Sequence, residues 1–464
     1  MADPAPSHAP SNAHADLMAR DAARVYGWRY QPAIQFERGE GIWLFDVDGK
    51  RYYDLTAGMM CNVLGHCHPE LVEVMRDEAG KLWHENSWYS NPHLVRFAER
   101  VAGTLPDGLE VVNFAVTGSE ANEVAMRMAL AVSGKHDILS VIRGLHGGSL
   151  AVESVTTIGG ARRRHLGPLL APANAPAIYA PFCYRCPINL EYPACDVACL
   201  TRSRELIDHV TSGDIAAVLA ETMLVAGGMV VPPPEWLPRL KKLAEAEGAL
   251  LVLDEAQLAP ARTGRMWGFQ HYDVTPDIVT FAKGMSAGLA ICGAVTTREI
   301  AEEARGKAGL PWAGTYSGDP LPAAVADKQL EIVLRDGLEG RAAAMGDVLR
   351  AALERLRESH AVIGDVRGRG LYQMLDIVSE RGGREPDPAM AERIRLNAAL
   401  SGVIVICVKN FLRICPPLTV TEDEIAAFTE RLDRAVRLAL DGHPRDVDFR
   451  ASSSLAMGSA PPAG

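Results

Sequence analysis

The sequence predicts an α/β protein whose larger domain is a mostly parallel sheet covered by helices on both faces. The first observation behind this fold class is a series of short apolar segments of strand length, at 111–116, 138–142, 216–221, 249–253 and 277–282. Stretches of helical composition separate most of them, and short buried strands alternating with helices are typical of parallel sheets. The second observation is a change of pattern after about residue 325, where longer helices predict a smaller α+β domain.

Local signals place the remaining elements in chain order. Residues 41–55 predict a hairpin, because Asp48-Gly49 separates two apolar runs. Helices are expected at 92–102, 121–133, 201–210, 236–248, 330–358 (as one or two helices), 388–402 and 422–440, and a further strand at 370–378. Thr421 and Glu424 form a capping-box pattern at the start of the last helix.

The chain has 464 residues, of which 48% are hydrophobic and 23% charged, and these values are ordinary for a globular protein. The composition and the element pattern divide it into five regions. They are a disordered N-terminal arm at 1–16, an N-terminal segment of a small domain at 17–70, a large domain at 71–325, a C-terminal part of the small domain at 326–445 and a flexible tail at 446–464.

The charge balance excludes several classes of partner. The net charge is −11, from 47 Lys and Arg against 58 Asp and Glu. An acidic chain has no bulk attraction for phosphate backbones or anionic lipid surfaces, so we expect neither a nucleic-acid nor a membrane partner. The N-terminus lacks the pattern of a secretory signal, and no apolar run approaches the length of a membrane span. A cytoplasmic location is the expectation.

The end of the apolar segment 111–116 predicts an anion site. There Thr117-Gly118-Ser119 leads from a strand into a helix, and free backbone amides at a helix start suit a phosphate group. The alternative is an ordinary turn in which Ser119 caps the helix.

Two further strand ends carry charged side chains. Asp254 follows 249–253, and its alternative role is to cap a helix. Lys283 follows 277–282, and a lysine is costly to bury unless it is paired, neutralised or used covalently. Its alternative is a side chain that extends from the loop into solvent. A phosphate cup, a carboxylate and a strand-end lysine together match the needs of pyridoxal 5'-phosphate (PLP), namely anion binding, protonation of the ring nitrogen and a Schiff base.

Longer motifs around these residues resemble one family. From about residue 41 to 440 the chain resembles a class III aminotransferase, within the fold type I PLP enzymes, and the resemblance is closest to the 2,2-dialkylglycine decarboxylase branch. The motifs that carry it are TGSEANEVAMRMA, LHGGS, LVLDEAQLAPARTGRMWGFQHYDVTPDIVTFAKGMSAG, GTYSGDPLPAAVA, DVRGRGL and PPLTVTEDEI. The resemblance implies a seven-stranded type of large sheet sandwiched by helices, and a small domain built from both chain ends.

The resemblance also implies roles at the cofactor site. Lys283 resembles the lysine that forms the Schiff base and carries the proton between Cα and the cofactor carbon. Asp254 resembles the partner of the pyridine nitrogen, and Gln257 is similar to the residue that hydrogen-bonds the 3-hydroxyl group. Gly118 and Ser119 resemble the phosphate cup.

Other positions relate to the substrate and to a second subunit. Thr315 resembles a threonine that reaches the phosphate of the neighbouring subunit, which implies a homodimer, with a tetramer as a further possibility. Glu221 lies where the family places a glutamate near the substrate. Arg413 resembles the arginine that binds the substrate carboxylate, and its alternative is a surface ion pair. His146 belongs to the segment that covers the cofactor ring.

Two departures from the family pattern concern the reaction. Leu145, before His146, occupies a position that is normally aromatic. Met59 stands where the decarboxylase branch has a glutamine that helps to hold the carboxylate perpendicular to the ring, and methionine cannot donate that hydrogen bond. Cleavage of the C–H bond is therefore favoured over decarboxylation.

These departures predict an aminotransferase that moves an amino group from an amino acid or amine to a 2-oxo acid of the pyruvate type. The alternatives on the same scaffold are a decarboxylation-dependent transaminase of the dialkylglycine decarboxylase type and a PLP racemase or β-eliminating lyase.

A cysteine-rich loop stands apart from this chemistry. Cys183, Cys186, Cys195 and Cys199 are spaced C-x2-C and C-x3-C, which matches the ligand spacing of zinc sites. The alternatives are disulfides and free thiols that simply pack in the loop.

Overall fold

The computed structural model describes residues 12–25, 34–159, 176–308 and 313–443. The predicted tail at 446–464 and residues 1–11 of the predicted arm lie outside these ranges. Residues 12–16 of the predicted arm are helical and not disordered as expected, because a helix begins at Asn12. Its composition is rich in alanine, a strong helix former, and Asp16 and Arg20 form an i,i+4 ion pair on it.

Strands and helices alternate through much of the chain. The strands are β1 (Phe36–Glu40), β2 (Trp43–Asp46), β3 (Arg51–Asp54), β4 (Val111–Ala115), β5 (Asp137–Val141), β6 (Ala177–Ile178), β7 (Ile215–Glu221), β8 (Leu250–Asp254), β9 (Ile278–Phe281), β10 (Cys292–Thr296), β11 (Ile363–Arg369), β12 (Tyr372–Ile377), β13 (Val403–Ile404), β14 (Ile406–Val408) and β15 (Phe411–Ile414). The helices are α1 (Asn12–Arg24), α2 (Ala57–Met60), α3 (Pro69–Ala79), α4 (Pro92–Ala102), α5 (Gly118–Ser133), α6 (Leu150–Val155), α7 (Ala198–Val210), α8 (Trp236–Ala246), α9 (Arg298–Ala308), α10 (Pro320–Arg335), α11 (Leu338–Ser359), α12 (Pro388–Leu400) and α13 (Glu422–Leu440). Among the described residues, no helix combines the length and apolar character needed to cross a membrane.

The described residues form two compact units. The larger unit comprises residues 69–343, and the smaller unit joins the residues up to 68 with those from 344 onwards. The predicted domain boundaries at 70/71 and 325/326 stay predictions.

The larger unit contains a seven-stranded sheet in the order β4-β10-β9-β8-β7-β5-β6. The strands β5 to β9 pair in parallel, whereas β10 pairs antiparallel with both β9 and β4. Every residue of β7, IAAVLAE, is buried, as is usual for a strand covered on both faces. The predicted α/β fold class with a mostly parallel sheet is therefore confirmed.

The sheet also contains a strand that was not predicted from the sequence. Strand β10 has the sequence CGAVT, whose small residues give a weak strand signal. A Cβ atom at Gly293 would lie 2.8 Å from the backbone oxygen of Asn113 on β4, so the glycine permits this close pairing.

The smaller unit combines both ends of the chain around two four-stranded sheets. Their orders are β1-β2-β3-β13 and β11-β12-β15-β14. The parallel pair of β13 with β3 joins the N-terminal hairpin to the C-terminal segment. The predicted hairpin turn at Asp48-Gly49 and the capping box of Thr421 and Glu424 are both present. An α+β unit made from both chain ends is thus confirmed.

Candidate active site

Asp254 ends strand β8, and several groups donate hydrogen bonds to its carboxylate. His146 Nδ1 and Asn122 Nδ2 each donate to Asp254 Oδ2 at 2.9 Å, and the Ala256 amide donates to Oδ1 at 3.0 Å. Burial alone would raise the pKa of this carboxyl. The hydrogen bond and charge of His146, the Ala256 amide and the charge of Lys283 outweigh burial, so the pKa of Asp254 is lowered and the group stays ionised.

Asn122 and Thr280, which both donate hydrogen bonds to Asp254, were missed from the sequence. Asn122 is fully buried on α5, where it also donates to the backbone oxygen of His146 at 2.7 Å. Its own Oδ1 accepts a hydrogen bond from Thr280 of β9 at 2.8 Å. The sequence signal that could have identified Asn122 is its polar amide among the small and apolar residues of α5. These contacts leave Asp254 little freedom to rotate.

Lys283 directly follows the buried strand β9. Its backbone is in the left-handed region, with φ +39°, which is strained for a residue with a side chain. Its carbonyl oxygen accepts a hydrogen bond from Ser286 Oγ at 2.6 Å, which stabilises the turn after the strand. The side chain is half-buried, and its charge acts on Asp254.

The three predicted strand ends meet at the start of α5. A Cβ atom at Gly118 would lie 3.2 Å from Cβ of Ala282, next to Lys283, and 3.8 Å from Cβ of Ala256, which follows the strand of Asp254. A side chain at position 118 would therefore crowd Ala282, whereas its contact with Ala256 would be an ordinary one. Because the carboxyl ends of β8 and β9 lie on this side of the sheet, a ligand here reaches all three segments.

Ser119 does not cap helix α5, so the alternative role predicted for it is wrong. Thr117, not Ser119, caps α5, in a capping box with Glu120. Ser119 Oγ instead accepts a hydrogen bond from the Gly148 amide at 3.1 Å. A Cβ atom at Gly147 would lie 2.3 Å from Ser119 Oγ, so glycine is required where the two loops approach. The first helical amides, at Gly118 and Ser119, precede the amide that the cap binds, as in anion sites at helix starts.

Glu221 lies beside Asp254 in the parallel pair of β7 with β8. Its carboxylate accepts hydrogen bonds from the amides of Leu145 at 2.9 Å and Val225 at 3.1 Å, and from Gln257 Nε2 at 3.5 Å. Burial, together with the charge of Asp254, raises the pKa of Glu221 to about 7, although the charge of His146 and the amides of Leu145 and Val225 act in the opposite direction. The site therefore contains one ionised carboxylate next to one that titrates near neutrality.

The raised pKa of Glu221 predicts that the free energy of unfolding depends on pH. Because the pKa of Glu221 is raised to about 7 from 4.5, its contribution to stability is fully present below pH 4.5 and is lost as the pH rises through about 7. The shift corresponds to roughly 3 kcal/mol. We expect Glu221→Gln, which cannot ionise, to flatten the decline of the unfolding free energy of cofactor-free protein over this window.

Denaturant titrations at a series of pH values measure that slope. Burial also raises the pKa of Glu255 to about 7, so the variant should keep part of the decline. A slope identical to that of the unsubstituted protein would contradict proton uptake at Glu221.

The other predicted site residues lie elsewhere in the chain. Thr315 is exposed in the larger unit. Arg413 is buried on β15 of the smaller unit, opposite Met374 and Ile406. Met59 also belongs to the smaller unit, where its side chain is 51% exposed and its backbone is left-handed.

The cysteine-rich loop lies between β6 and α7, and Cys183, Cys186, Cys195 and Cys199 are all free thiols. The predicted alternative of disulfides is therefore absent from the structure. No group of three or more His, Cys, Asp or Glu side chains in the described ranges has the arrangement of a ready metal site.

The residues of the larger unit fit PLP. Asp254 is ionised although its side chain is only 4% exposed, which matches a partner for a protonated ring nitrogen. The helix start at Gly118 matches a phosphate group, and Lys283 supplies an amine next to both. Asp254, Lys283 and the helix start therefore match the ring nitrogen, the aldehyde and the phosphate group respectively.

Comparisons with known proteins agree with this fit. Residues 26–436 match the model of the class III aminotransferase family. An uncharacterised aminotransferase of Schizosaccharomyces pombe is 34% identical over 425 residues, covering 89% of this chain and 92% of that protein. Alanine–glyoxylate aminotransferase 2 homolog 2 of Arabidopsis thaliana is 33% identical, covering 87% and 83%. An alanine/serine racemase of Pyrococcus horikoshii is 31% identical, covering 88% and 86%.

Solved structures give the same result. A thermostable (S)-enantioselective omega-transaminase from Thermomicrobium roseum superposes with a TM-score of 0.86 at 32% identity, covering 92% of this chain and 99% of that chain. An amine transaminase from an uncultivated Pseudomonas species, in a PLP-bound form, has a TM-score of 0.83 at 31% identity, covering 90% and 98%. The chain therefore belongs to the class III aminotransferases, fold type I enzymes that depend on PLP.

Proposed function

We propose that this enzyme transfers an amino group from an amino acid or amine to a 2-oxo acid of the pyruvate type. The observation that carries the proposal is the convergence of Lys283, Asp254 and the α5 start at Gly118 in one unit. When bound, PLP supplies an electron sink that stabilises negative charge at the substrate Cα. The residues of this chain supply its attachment, its protonation state and the movement of protons.

In this proposal, each residue acts at a stated atom. Lys283 Nζ holds the cofactor aldehyde covalently and, once the substrate has replaced it, takes the Cα proton and returns it to the cofactor carbon. Asp254 keeps the ring nitrogen protonated. Gly118 and Ser119 bind the phosphate group, and Gln257 donates to the 3-hydroxyl oxygen.

The residues around the ring shape the pocket. Glu221 binds the Leu145 amide, so it positions the residue that covers one face of the ring. Leu145 covers this face without aromatic stacking, which is weaker by about 1 kcal/mol. His146 donates to Asp254 and thereby stabilises its charge. In the smaller unit, Arg413 binds the substrate carboxylate.

Transamination is favoured over decarboxylation because of Met59. A thioether cannot donate a hydrogen bond, so it cannot hold a carboxylate perpendicular to the ring as decarboxylation requires. The motif likeness to the dialkylglycine decarboxylase branch is therefore proposed to reflect common ancestry and not a common reaction. The likeness to the alanine/serine racemase of Pyrococcus horikoshii makes racemisation the second candidate.

We also propose a homodimer, in which Thr315 completes the phosphate site of the second copy. Large aromatic side chains lie exposed in two segments of the larger unit, at Trp83, Trp88, Tyr89 and Tyr316. The two segments are adjacent, because the rings of His84 and Tyr316 are 5.3 Å apart. Exposed apolar patches of this kind mark interaction surfaces. Thr315 is exposed beside this patch, which supports a second copy as its partner.

The single-turnover reaction tests the proposed function. We expect the holoenzyme, mixed with alanine or a primary amine and no acceptor, to form one oxo product per active site and to change the absorbance of its cofactor. Pyruvate should then restore the original spectrum. Inversion of alanine without an oxo product would favour the racemase, and release of carbon dioxide would favour the decarboxylase. Either result would overturn the proposal.

A further inference from the structure

The four cysteines between β6 and α7 take no part in the proposed transamination. Cys183 begins a short 3-10 turn and Cys186 follows it, Cys195 lies further along the loop, and Cys199 lies in the first turn of α7. Strand β6 is at the edge of the sheet, and β5 and β7 separate it from the strand that carries Asp254. The loop is therefore a separate feature of the larger unit.

All four thiols line one small cavity of about 10 Å³. This volume is near the lower limit for a single water molecule. Tyr192 is the one lining side chain with a hydroxyl group, and that hydroxyl donates to Glu235 Oε2 at 3.1 Å. The other lining side chains are alkyl or aromatic, such as Phe182, Ile188 and Leu190. A buried water needs two to four polar partners, so these side chains suit a soft cation better than a water molecule.

The thiols are close enough to influence each other. Burial, followed by Cys195 and Cys186, raises the pKa of Cys183. Burial, followed chiefly by Cys183, raises the pKa of Cys199 to about 12. A divalent zinc ion accepts lone pairs from four cysteine sulfurs at once.

The backbone of the loop is folded to keep the cysteines together. Asp196 and Val197 both adopt left-handed conformations, with φ +45° and +56°, although neither is glycine. A left-handed β-branched residue is strained and persists only where surrounding contacts impose it. Arg239 donates to Asp196 Oδ1 at 2.5 Å, and the amide of Cys195 donates to the Glu191 oxygen at 2.8 Å. This strained turn places Cys195 and the α7 start on the same cavity.

We propose that Cys183, Cys186, Cys195 and Cys199 bind a structural Zn²⁺ ion. No three of them are already arranged for coordination in the described structure, so binding draws the sulfurs towards the centre of the cavity that they share. Four thiols lose their protons to solvent and form four Zn–S bonds of about 2.3 Å, without any change of oxidation state. The ion stabilises the segment between β6 and α7 and takes no part in transamination.

Metal analysis of the PLP-loaded enzyme, expressed and purified without added zinc, tests this site. We expect about one zinc ion per chain in the unsubstituted protein. After dialysis against a chelator, the double variant Cys183→Ser/Cys186→Ser should contain at least about tenfold less zinc than the unsubstituted protein. Cys67→Ser, which removes an exposed thiol of the smaller unit, is the matched control and should retain its zinc.

A measurement on the unsubstituted enzyme covers the case in which the double variant fails to fold. Titration with a mercurial should release zinc in step with the modification of four thiols, while the cofactor absorbance stays constant. Background metal content, or equal zinc in the unsubstituted and double-variant proteins, would overturn the proposal. A non-reducing peptide map that shows these cysteines paired in disulfides would overturn it as well.

Discussion

Replacing Lys283 with alanine should abolish transamination and remove the covalent attachment of the cofactor. The lysine is half-buried on a strained turn after β9, and its charge reaches Asp254. Its amine is proposed to hold the aldehyde and to carry the Cα proton, so one substitution removes two functions. We expect kcat to fall by roughly 10⁴-fold or more. Steady-state rates and the absorbance of the dialysed protein measure both effects.

An exposed lysine supplies the control for this substitution. Lys242 lies exposed on α8, so Lys242→Ala should keep normal activity and cofactor. Added primary amines should partly restore the rate of the Lys283 variant, because the missing proton acceptor is small and the vacated space admits it. A Lys283 variant that retains a rate within about tenfold of the unsubstituted enzyme would contradict the assigned role.

Parts of the proposed site could be predicted where a charged residue stands at the end of an apolar segment. Asp254 and Lys283 are charged residues at the ends of apolar sequence segments, and such residues are costly to bury without a use. Gly118 marks the strand-to-helix turn, at a position where a side chain would crowd Ala282. The parallel sheet follows from the nearly continuous apolar runs of β7 and its neighbours.

Other parts of the site could not be predicted because their role depends on partners distant in sequence. From the sequence alone, Asn122 has the pattern of a surface amide on α5. Its role depends on Asp254 of β8 and Thr280 of β9, which form hydrogen bonds with it in the folded chain. Strand β10 pairs antiparallel between β9 and β4, which local composition does not reveal. The left-handed backbone at Met59 likewise has no signal in the sequence, because methionine rarely adopts that conformation.

Replacing Asp254 with asparagine should leave the cofactor attached but remove most of the activity. Asparagine has nearly the same shape but no charge, so it cannot keep a ring nitrogen protonated. The carboxylate accepts hydrogen bonds from His146 and Asn122, and the amide nitrogen of an asparagine could not accept them. Electrostatic groups of this kind are worth roughly 10²–10³-fold in kcat. We expect a loss of at least that size, with the absorbance of the lysine-bound cofactor retained.

The charge and the orientation of Asp254 can be separated with a second variant. Thr280→Val removes the hydroxyl that donates to Asn122 Oδ1 and leaves the carboxylate intact, so we expect a fall in kcat of only about tenfold or less. The two variants also differ in their pH profiles. Loss of orientation scales the rate at every pH, whereas loss of the charge lets the ring nitrogen lose its proton at a lower pH. If Thr280→Val were as inactive as Asp254→Asn, orientation and not charge would be the main contribution of this residue.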